Sequence, residues 1–274
     1  MIDDPGELVG IDGRDFHDLG PHLDLPPLDL IDDEVCLGLT EVEPEYTGGS
    51  LKWMGVCAPS VLDDGYLDYG EVIASLDDDA FVRFLSLADN PRAFDLRKRH
   101  VYRFGDETPN PLTPAQARYL AMRHGVYFPW KVAYHLLAND AWEDKHHGDG
   151  KTFSDEACEL FPRTVAMLRA LPFREIGRAL IFGLAPNDHA PLHRDTHPDR
   201  SAEVGHTITI CPRGDKGFYL RSPDERRTVA VTARAYWFND MDYHGVTAAP
   251  RFRYSIRVDG VFEPAFRERL RRAR

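Results

Sequence analysis

No two of the four cysteines (Cys36, Cys57, Cys158 and Cys211) form a CxxC pair. That removes the usual signature of a zinc knuckle or a thioredoxin-like redox site. The four are expected as reduced, mostly buried thiols. No apolar run approaches the roughly 20 residues of a membrane-spanning helix, so no membrane partner is expected. The opening Met1-Ile2-Asp3-Asp4 lacks the basic stretch and apolar run of a secretory leader; a cytoplasmic protein is expected. Glycine-rich phosphate loops, internal repeats and low-complexity tracts are missing. Basic residues do not cluster before the C-terminal tail, which speaks against nucleic-acid binding.

What is present is an ordinary globular composition: 274 residues, 43% hydrophobic and 11% aromatic. That suffices for one large or two small domains with a substantial core. The net charge of −12 is lopsided. Residues 1–50 hold fourteen acids against one base, Arg14, while the rest of the chain sets 31 acids against 32 bases. This acidic, proline-rich segment is expected as a solvated lead-in, with the apolar patch at residues 28–31 lying against the body. At the other end, residues 267–274 carry five arginines and are expected as an exposed helix end.

Between these ends the chain changes rhythm. Residues 51–172 read as a mixture of helices and strands. A strand is expected at 51–57 and another at 100–104. Asp77 to Asp79 cap a helix bearing Phe81, Phe84 and Leu85. Thr113 followed by Pro114 starts a helix, and Gly125 stops it. Residues 127–137 suit strand or helix, and 140–150, with His146 and His147, suit a surface loop. Ser154 opens a helical pattern to Leu171 that Pro162 kinks or splits. From 173 to 264 short strands take over, at 176–184, 204–211, 218–221, 227–232, 235–238 and 252–258. Many short strands between Gly, Pro and Asp turns imply a sandwich or barrel. The expected class is α+β with a mainly β core, a double-stranded β-helix of the cupin jelly-roll type, with N-terminal helices packed on it. The basic tail occupies 265–274.

Within that region His193-Arg194-Asp195 places an imidazole and a carboxylate on one side of an extended segment, because side chains alternate with a period of two. His244 closes a strand-and-turn run that begins at Arg234. Two imidazoles and one carboxylate, with open positions, form the facial triad of non-haem Fe(II) oxygenases. Arg253-Tyr254-Ser255 puts a planar cation and a hydroxyl on one strand face, suited to gripping a carboxylate. Arg251 and Arg257 are nearby alternatives.

This ordered set resembles the Fe(II)- and 2-oxoglutarate-dependent dioxygenases. Within them it is most similar to the aspartyl/asparaginyl β-hydroxylase-like branch, which includes amino-acid (proline) hydroxylases. The resemblance runs from about residue 176 to 264, in APLHRD (190–195), GHTITICP (205–212) and RAYWFNDMDYHGVTAAPRFRYSIRVDGVF (234–262). It implies that His193, Asp195 and His244 hold Fe(II). It further implies that 2-oxoglutarate and O2 fill the open positions, that succinate and CO2 leave, and that a hydroxyl is delivered to an unactivated C–H bond. Ascorbate would serve as reductant. Arg253, assisted by Ser255, is implied for the distal carboxylate of 2-oxoglutarate, and His206 for a further contact to it. A half-buried, hydrogen-bonded histidine is the competing reading for His206. The branch places a substrate-binding arginine two residues ahead of that histidine; here Val204 stands there, which argues against an aspartyl side chain as substrate. Asp195 argues against a halogenase.

The size of the region ahead of the core favours a substrate within a peptide or protein. A free amino acid, or a non-catalytic cupin-like metal-binding module, are the alternatives. Residues His189 and His197 flank the triad and are expected beside it or in a solvent-exposed loop.

Overall fold

Strict alternation of apolar and polar side chains along 253–259 builds the strand on which everything else is registered. The structure, a computed structural model, describes residues 7–42, 45–46, 69–104, 109–126, 131–138, 144–196, 203–214, 216–224 and 226–273. Its strands in chain order are β1 (Phe16–Asp18), β2 (Glu45–Tyr46), β3 (Lys131–His135), β4 (Leu137–Ala138), β5 (Thr152–Phe153), β6 (Phe173–Leu184) and β7 (Ala190–His193). They continue as β8 (His206–Ile210), β9 (Phe218–Arg221), β10 (Thr228–Ala230), β11 (Ala235–Phe238), β12 (Tyr243–Val246) and β13 (Arg253–Phe262). The helices are α1 (Leu28–Gly38), α2 (Tyr69–Ser75), α3 (Asp78–Leu85), α4 (Pro114–His124), α5 (Asp155–Leu160), α6 (Pro162–Arg169) and α7 (Pro264–Arg272).

A seven-stranded sheet runs in the order β1-β11-β8-β13-β6-β3-β2, and a four-stranded sheet in the order β10-β9-β12-β7, with a small β4-β5 pair. The pairings within them are antiparallel. On β13, Tyr254, Ile256 and Val258 join a cluster with Ile31 and Val35 of α1, Val165 and Leu168 of α6, and Phe266 and Leu270 of α7. Each such side chain removed from water contributes about 1.5–3 kcal/mol. By alternation, Arg253, Ser255, Arg257 and Asp259 leave the other face. That face looks toward the smaller sheet. Leu184, Tyr236 and Phe238 from the large sheet share an apolar cluster with Ala190, Phe218, Leu220 and Val246 from the small one. The site lies in this interval.

Local chemistry explains the helix ends. Thr113 caps α4 in a reciprocal box with Gln116, and Gly125 ends it in the left-handed region at φ 67°, which glycine enters without steric cost. Asp77 caps α3 by accepting from the Ala80 amide. Helices α5 and α6 are separated at Phe161 by Pro162, because proline cannot donate back into a continuous helix. Phe161 presses so closely on Gly38 that a Cβ there would sit 2.3 Å from its ring. A third cluster gathers Tyr69, Phe81, Phe84, Phe104 and Leu120 from α2–α4 and the chain between them.

Several expectations are corrected. Residues 96–101 form a 3-10 turn, and Phe104 makes a single bridge to Asn110 in place of a strand. The reason is packing: Phe104 sits edge-on against Phe81 and Phe84. The acidic lead-in, over residues 7–42, is docked. Helix α1 is buried along Leu28, Ile31 and Val35, and Asp12, Asp15 and Asp32 pair with Arg267, Arg227 and Arg213. The basic tail is not merely an exposed end, since α7 buries Phe266 and Leu270. Strand β13 extends to Phe262 past an irregularity at Asp259/Gly260. Residues 131–135 and 137–138 are strands. The strand expected at 51–57, Cys57 and His197 lie outside the described residues, as do parts of the segments 127–137 and 140–150. Among the described residues no helix is long and apolar enough to cross a membrane.

Candidate metal centre

Strands β7 and β12 are neighbours, and their register sets His193 opposite His244. Side chains directly opposite leave the same face of a sheet, so the two rings meet with centroids 4.3 Å apart. After His193 the chain turns. The amides of Asp195 and Thr196 both donate to the Asp240 carbonyl, at 3.1 and 3.2 Å, and this swings Asp195 toward the imidazoles. Its Oδ1 stands 3.5 Å from His193 Nε2 and 3.6 Å from His244 Nε2. One donor atom from each of the three residues lies within 4.8 Å of the others. The imidazoles are 6% and 3% exposed.

His244 is oriented for metal. Its Nδ1 lies 2.9 Å from the Asp242 carbonyl. A carbonyl only accepts, so Nδ1 carries the proton and Nε2 keeps its lone pair. Phe218 and Phe238 pack against the ring and hold its plane.

The second oxygen of Asp195 is also accounted for. Oδ2 accepts from Arg257 Nη1 at 2.8 Å. Burial alone would push the Asp195 pKa up, but the Arg257 guanidinium, the largest opposing influence, holds the carboxyl well below the usual range. Arg257 in turn pairs with Asp259 Oδ1 at 3.0 Å. Asp259 accepts from Arg178 Nε at 2.8 Å and from the Thr207 hydroxyl at 3.0 Å. Burial raises the Asp259 pKa, yet Arg257 and Arg178 bring it to about 2. Such outer hydrogen bonds fix the orientation of a metal-binding carboxylate. Two neutral imidazole nitrogens and one carboxylate oxygen, pre-oriented in a buried site, fit Fe(II) with positions left for 2-oxoglutarate and O2.

Two and four residues before Arg257 on the same face come Ser255 and Arg253. Both are buried, at 2% and 5% exposure. Arg253 donates to the carbonyls of Lys216 and Asp188 at 2.7 and 3.0 Å. Ser255 Oγ accepts from Lys216 Nζ at 2.8 Å, and Lys216 also donates to the Phe182 carbonyl at 3.0 Å. Burial, aided by Arg253 and Arg257, lowers the Lys216 pKa to about 8. Lys216 was not singled out by sequence reasoning. It lies in a Gly/Asp turn that carries no motif, and only folding brings it to Ser255. Arg257, an alternative to Arg253, is committed to Asp195 and Asp259.

The structure does not bring His206 to this cluster. Thr207, next to it on β8, bonds Asp259, so alternation sends His206 to the opposite, helix-covered face. There its Nδ1 accepts from the Phe262 amide at 3.0 Å, and its ring stacks on Phe262 at 4.6 Å. Burial lowers its pKa. His206 is the half-buried, hydrogen-bonded histidine of the competing reading. His189 lies half-buried just before β7, and Arg194 covers the Tyr243 ring at 3.9 Å.

No protein-family model matches the chain, and no curated protein sequence matches it. Among solved structures it is similar to a 2OG-Fe(II) oxygenase family oxidoreductase from Burkholderia pseudomallei, at 13% identity and a TM-score of 0.31, over 47% of this chain and 67% of that one. A Pseudomonas putida prolyl-4-hydroxylase matches at 13% identity and a TM-score of 0.29, over 48% of this chain and 71% of that one. A prolyl hydroxylase from Trichoplax adhaerens, solved with a hypoxia inducible factor peptide fragment, matches at 14% identity and a TM-score of 0.30, over 50% of this chain and 65% of that one.

Proposed function

We propose that this chain is an Fe(II)- and 2-oxoglutarate-dependent dioxygenase that hydroxylates an unactivated C–H bond of an amino-acid side chain within a peptide or protein, in the manner of the aspartyl/asparaginyl β-hydroxylase-like enzymes. The carrying observation is the convergence of His193, Asp195 and His244 beside the buried Arg253–Ser255–Lys216 cluster. Two antiparallel sheets facing each other across this site support a double-stranded β-helix core.

His193, Asp195 and His244 hold the metal, and Arg257 keeps Asp195 aligned. Bound Fe(II) supplies O2 activation at the expense of 2-oxoglutarate, with succinate and CO2 as by-products. Arg253, Ser255 and Lys216 grip the distal carboxylate of 2-oxoglutarate. A buried ammonium is costly without an anion, yet Lys216 has a carbonyl and a hydroxyl as its hydrogen-bond partners. A dicarboxylate would complete it, which favours a working co-substrate site over a passive metal-binding module. Phe218, Phe238 and Val246 keep water away from the donors. The long region ahead of residue 173 supports a substrate larger than a free amino acid.

The test is reconstitution with Fe(II), ascorbate and 2-oxoglutarate, followed by succinate release on adding peptide and free amino-acid panels. Stimulated release is expected, with a fall of at least about 100-fold in His193→Ala. Wild-type turnover in His193→Ala would sink the assignment.

A further inference from the structure

Next to the metal donors lies a cavity of about 280 Å3, lined by Asp144, Lys145, His146, Thr196, Glu203 and Asp240 among others. We propose that it binds a cationic group of the substrate, an ammonium or guanidinium, and so selects basic over neutral amino-acid substrates; this rests on the hydroxylase reading above.

Position comes first. Thr196 follows the metal donor Asp195, and the Asp240 carbonyl accepts from the amides of both. Asp240 precedes His244 by four residues. The cavity is therefore lined in part by residues that flank the candidate metal donors and fix the turn at Asp195.

Charge comes second. Three carboxylates face one lysine in the lining. Asp144 is already engaged, accepting from the amides of His146 and His147 at 3.2 Å each. Asp240 is not. It is 8% exposed; its Oδ2 accepts from the Thr196 hydroxyl at 2.9 Å, while its Oδ1, shut from solvent, has no hydrogen-bond partner among the described residues. Arg257 feels the charge of Asp240 but makes its hydrogen bonds from Nη1 to Asp195 and from Nε to Asp259. The charge of a carboxylate this buried is felt across the short, poorly screened distance to the cavity, and a cation held there would offset its cost.

Space comes third. Gly205 borders the cavity, and a Cβ there would lie 3.5 Å from Asp240 Oδ2 and 3.8 Å from His146 Cε1. Its missing side chain leaves room where these groups converge.

The cation has two possible sources, a basic side chain or the α-ammonium of a free amino acid, and three probes separate them. Nα-acetyl-lysine methylamide carries a cation on its side chain alone. Norleucine amide carries one on its α-nitrogen alone, and Nα-acetyl-norleucine methylamide carries none. Calorimetric titration of the full chain, with and without Mn(II) and 2-oxoglutarate, should show one of the cationic probes binding about tenfold or more tighter than the neutral one. Whichever does so names the source. Asp240→Asn should bring that ratio to about one. Should that variant fail to fold by circular dichroism, Glu203→Gln should lower the ratio at least about threefold. Equal or weaker binding of both cationic probes, or an unchanged ratio in folded Asp240→Asn, overturns the proposal. Oxidation of neutral probes with no preference for charge would sink it while leaving the hydroxylase reading intact. No succinate with any probe or peptide, despite bound metal, would instead sink the hydroxylase reading.

Discussion

Lys216 shows how much one buried side chain can decide. Its ammonium is shut from water, so burial brings its pKa from the ordinary 10.5 to about 8. The folded-state value lies below the unfolded one. Keeping Lys216 charged therefore costs stability at pH values below about 8, and the cost fades as pH rises from there toward 10.5. In the proposed co-substrate role, a dicarboxylate would reverse the preference, because it would bind the charged form. Affinity for 2-oxoglutarate should therefore be highest near neutrality and fall as pH rises through about 8, by up to about tenfold per unit for a single proton. Titrations from pH 7 to 9.5 check this, and Lys216→Met should bind weakly with a flat profile. A flat profile in the unaltered chain would remove Lys216 from the co-substrate site. At this scale the cluster of His193, Asp195 and His244 was legible, because His-x-Asp and a later His are unusual chemistry at a definite spacing. Lys216 was not, since a lysine in a turn carries no pattern. For His206 the sequence left two readings open because a histidine's facing depends on strand register, and Thr207 takes the inward place.

Among the elements, helix ends were the best read, since capping is local. In α4, Thr113 and Gln116 satisfy each other's backbone amides, and the Thr113 hydroxyl also reaches the Leu87 carbonyl at 2.8 Å. Thr113→Ala should lower stability by about 1–2 kcal/mol, visible as a reduced urea midpoint with unchanged slope. A shift indistinguishable from zero would mean that the apolar packing of Phe84, Phe104 and Leu120 alone holds this helix. The short strands were read less evenly. Residues 218–221 and 235–238 matched to the residue, bounded by turn-forming and polar neighbours. Strand β7 contains Pro191 and shows no alternation, so its strand character comes from pairing with β12. The segment 100–104 had strand-like residues, but aromatic packing against α3 overrode their propensity.

Across the whole molecule, the acidic start and the arginine-rich end are partners. Asp12 takes two bonds from Arg267, at 2.5 and 3.0 Å, and Asp15 two from Arg227, at 2.8 and 2.6 Å. These pairs are partly exposed and each contributes about 1 kcal/mol or less. A stronger tie is buried. Asp242 accepts from the amides of Val9 and Gly10 at 2.7 and 2.8 Å, two residues before His244, whose ring its carbonyl also orients. Asp242→Ala should therefore destabilise by about 2–4 kcal/mol, since one buried and one part-buried amide lose a charged acceptor, and should weaken metal binding. Asp12→Ala should cost less than half as much. Urea unfolding of the two variants, with and without added Mn(II), tests the order; equal losses would show that the N-terminal segment is held by surface charge.

The residue order by itself determined which donor side chains are present, the start of α3, both ends of α4 and the strand-rich second half, because each depends on neighbours within a few positions. Tertiary structure alone decided which side chains share a face. The β7–β12 register sets His193 against His244, the β8–β13 register turns His206 outward and Thr207 inward, and the meeting of the sheets brings Lys216 to Ser255. The physical reason is that a strand's facing is chosen by which side is buried, and burial is a property of the assembled sheets, not of any segment alone.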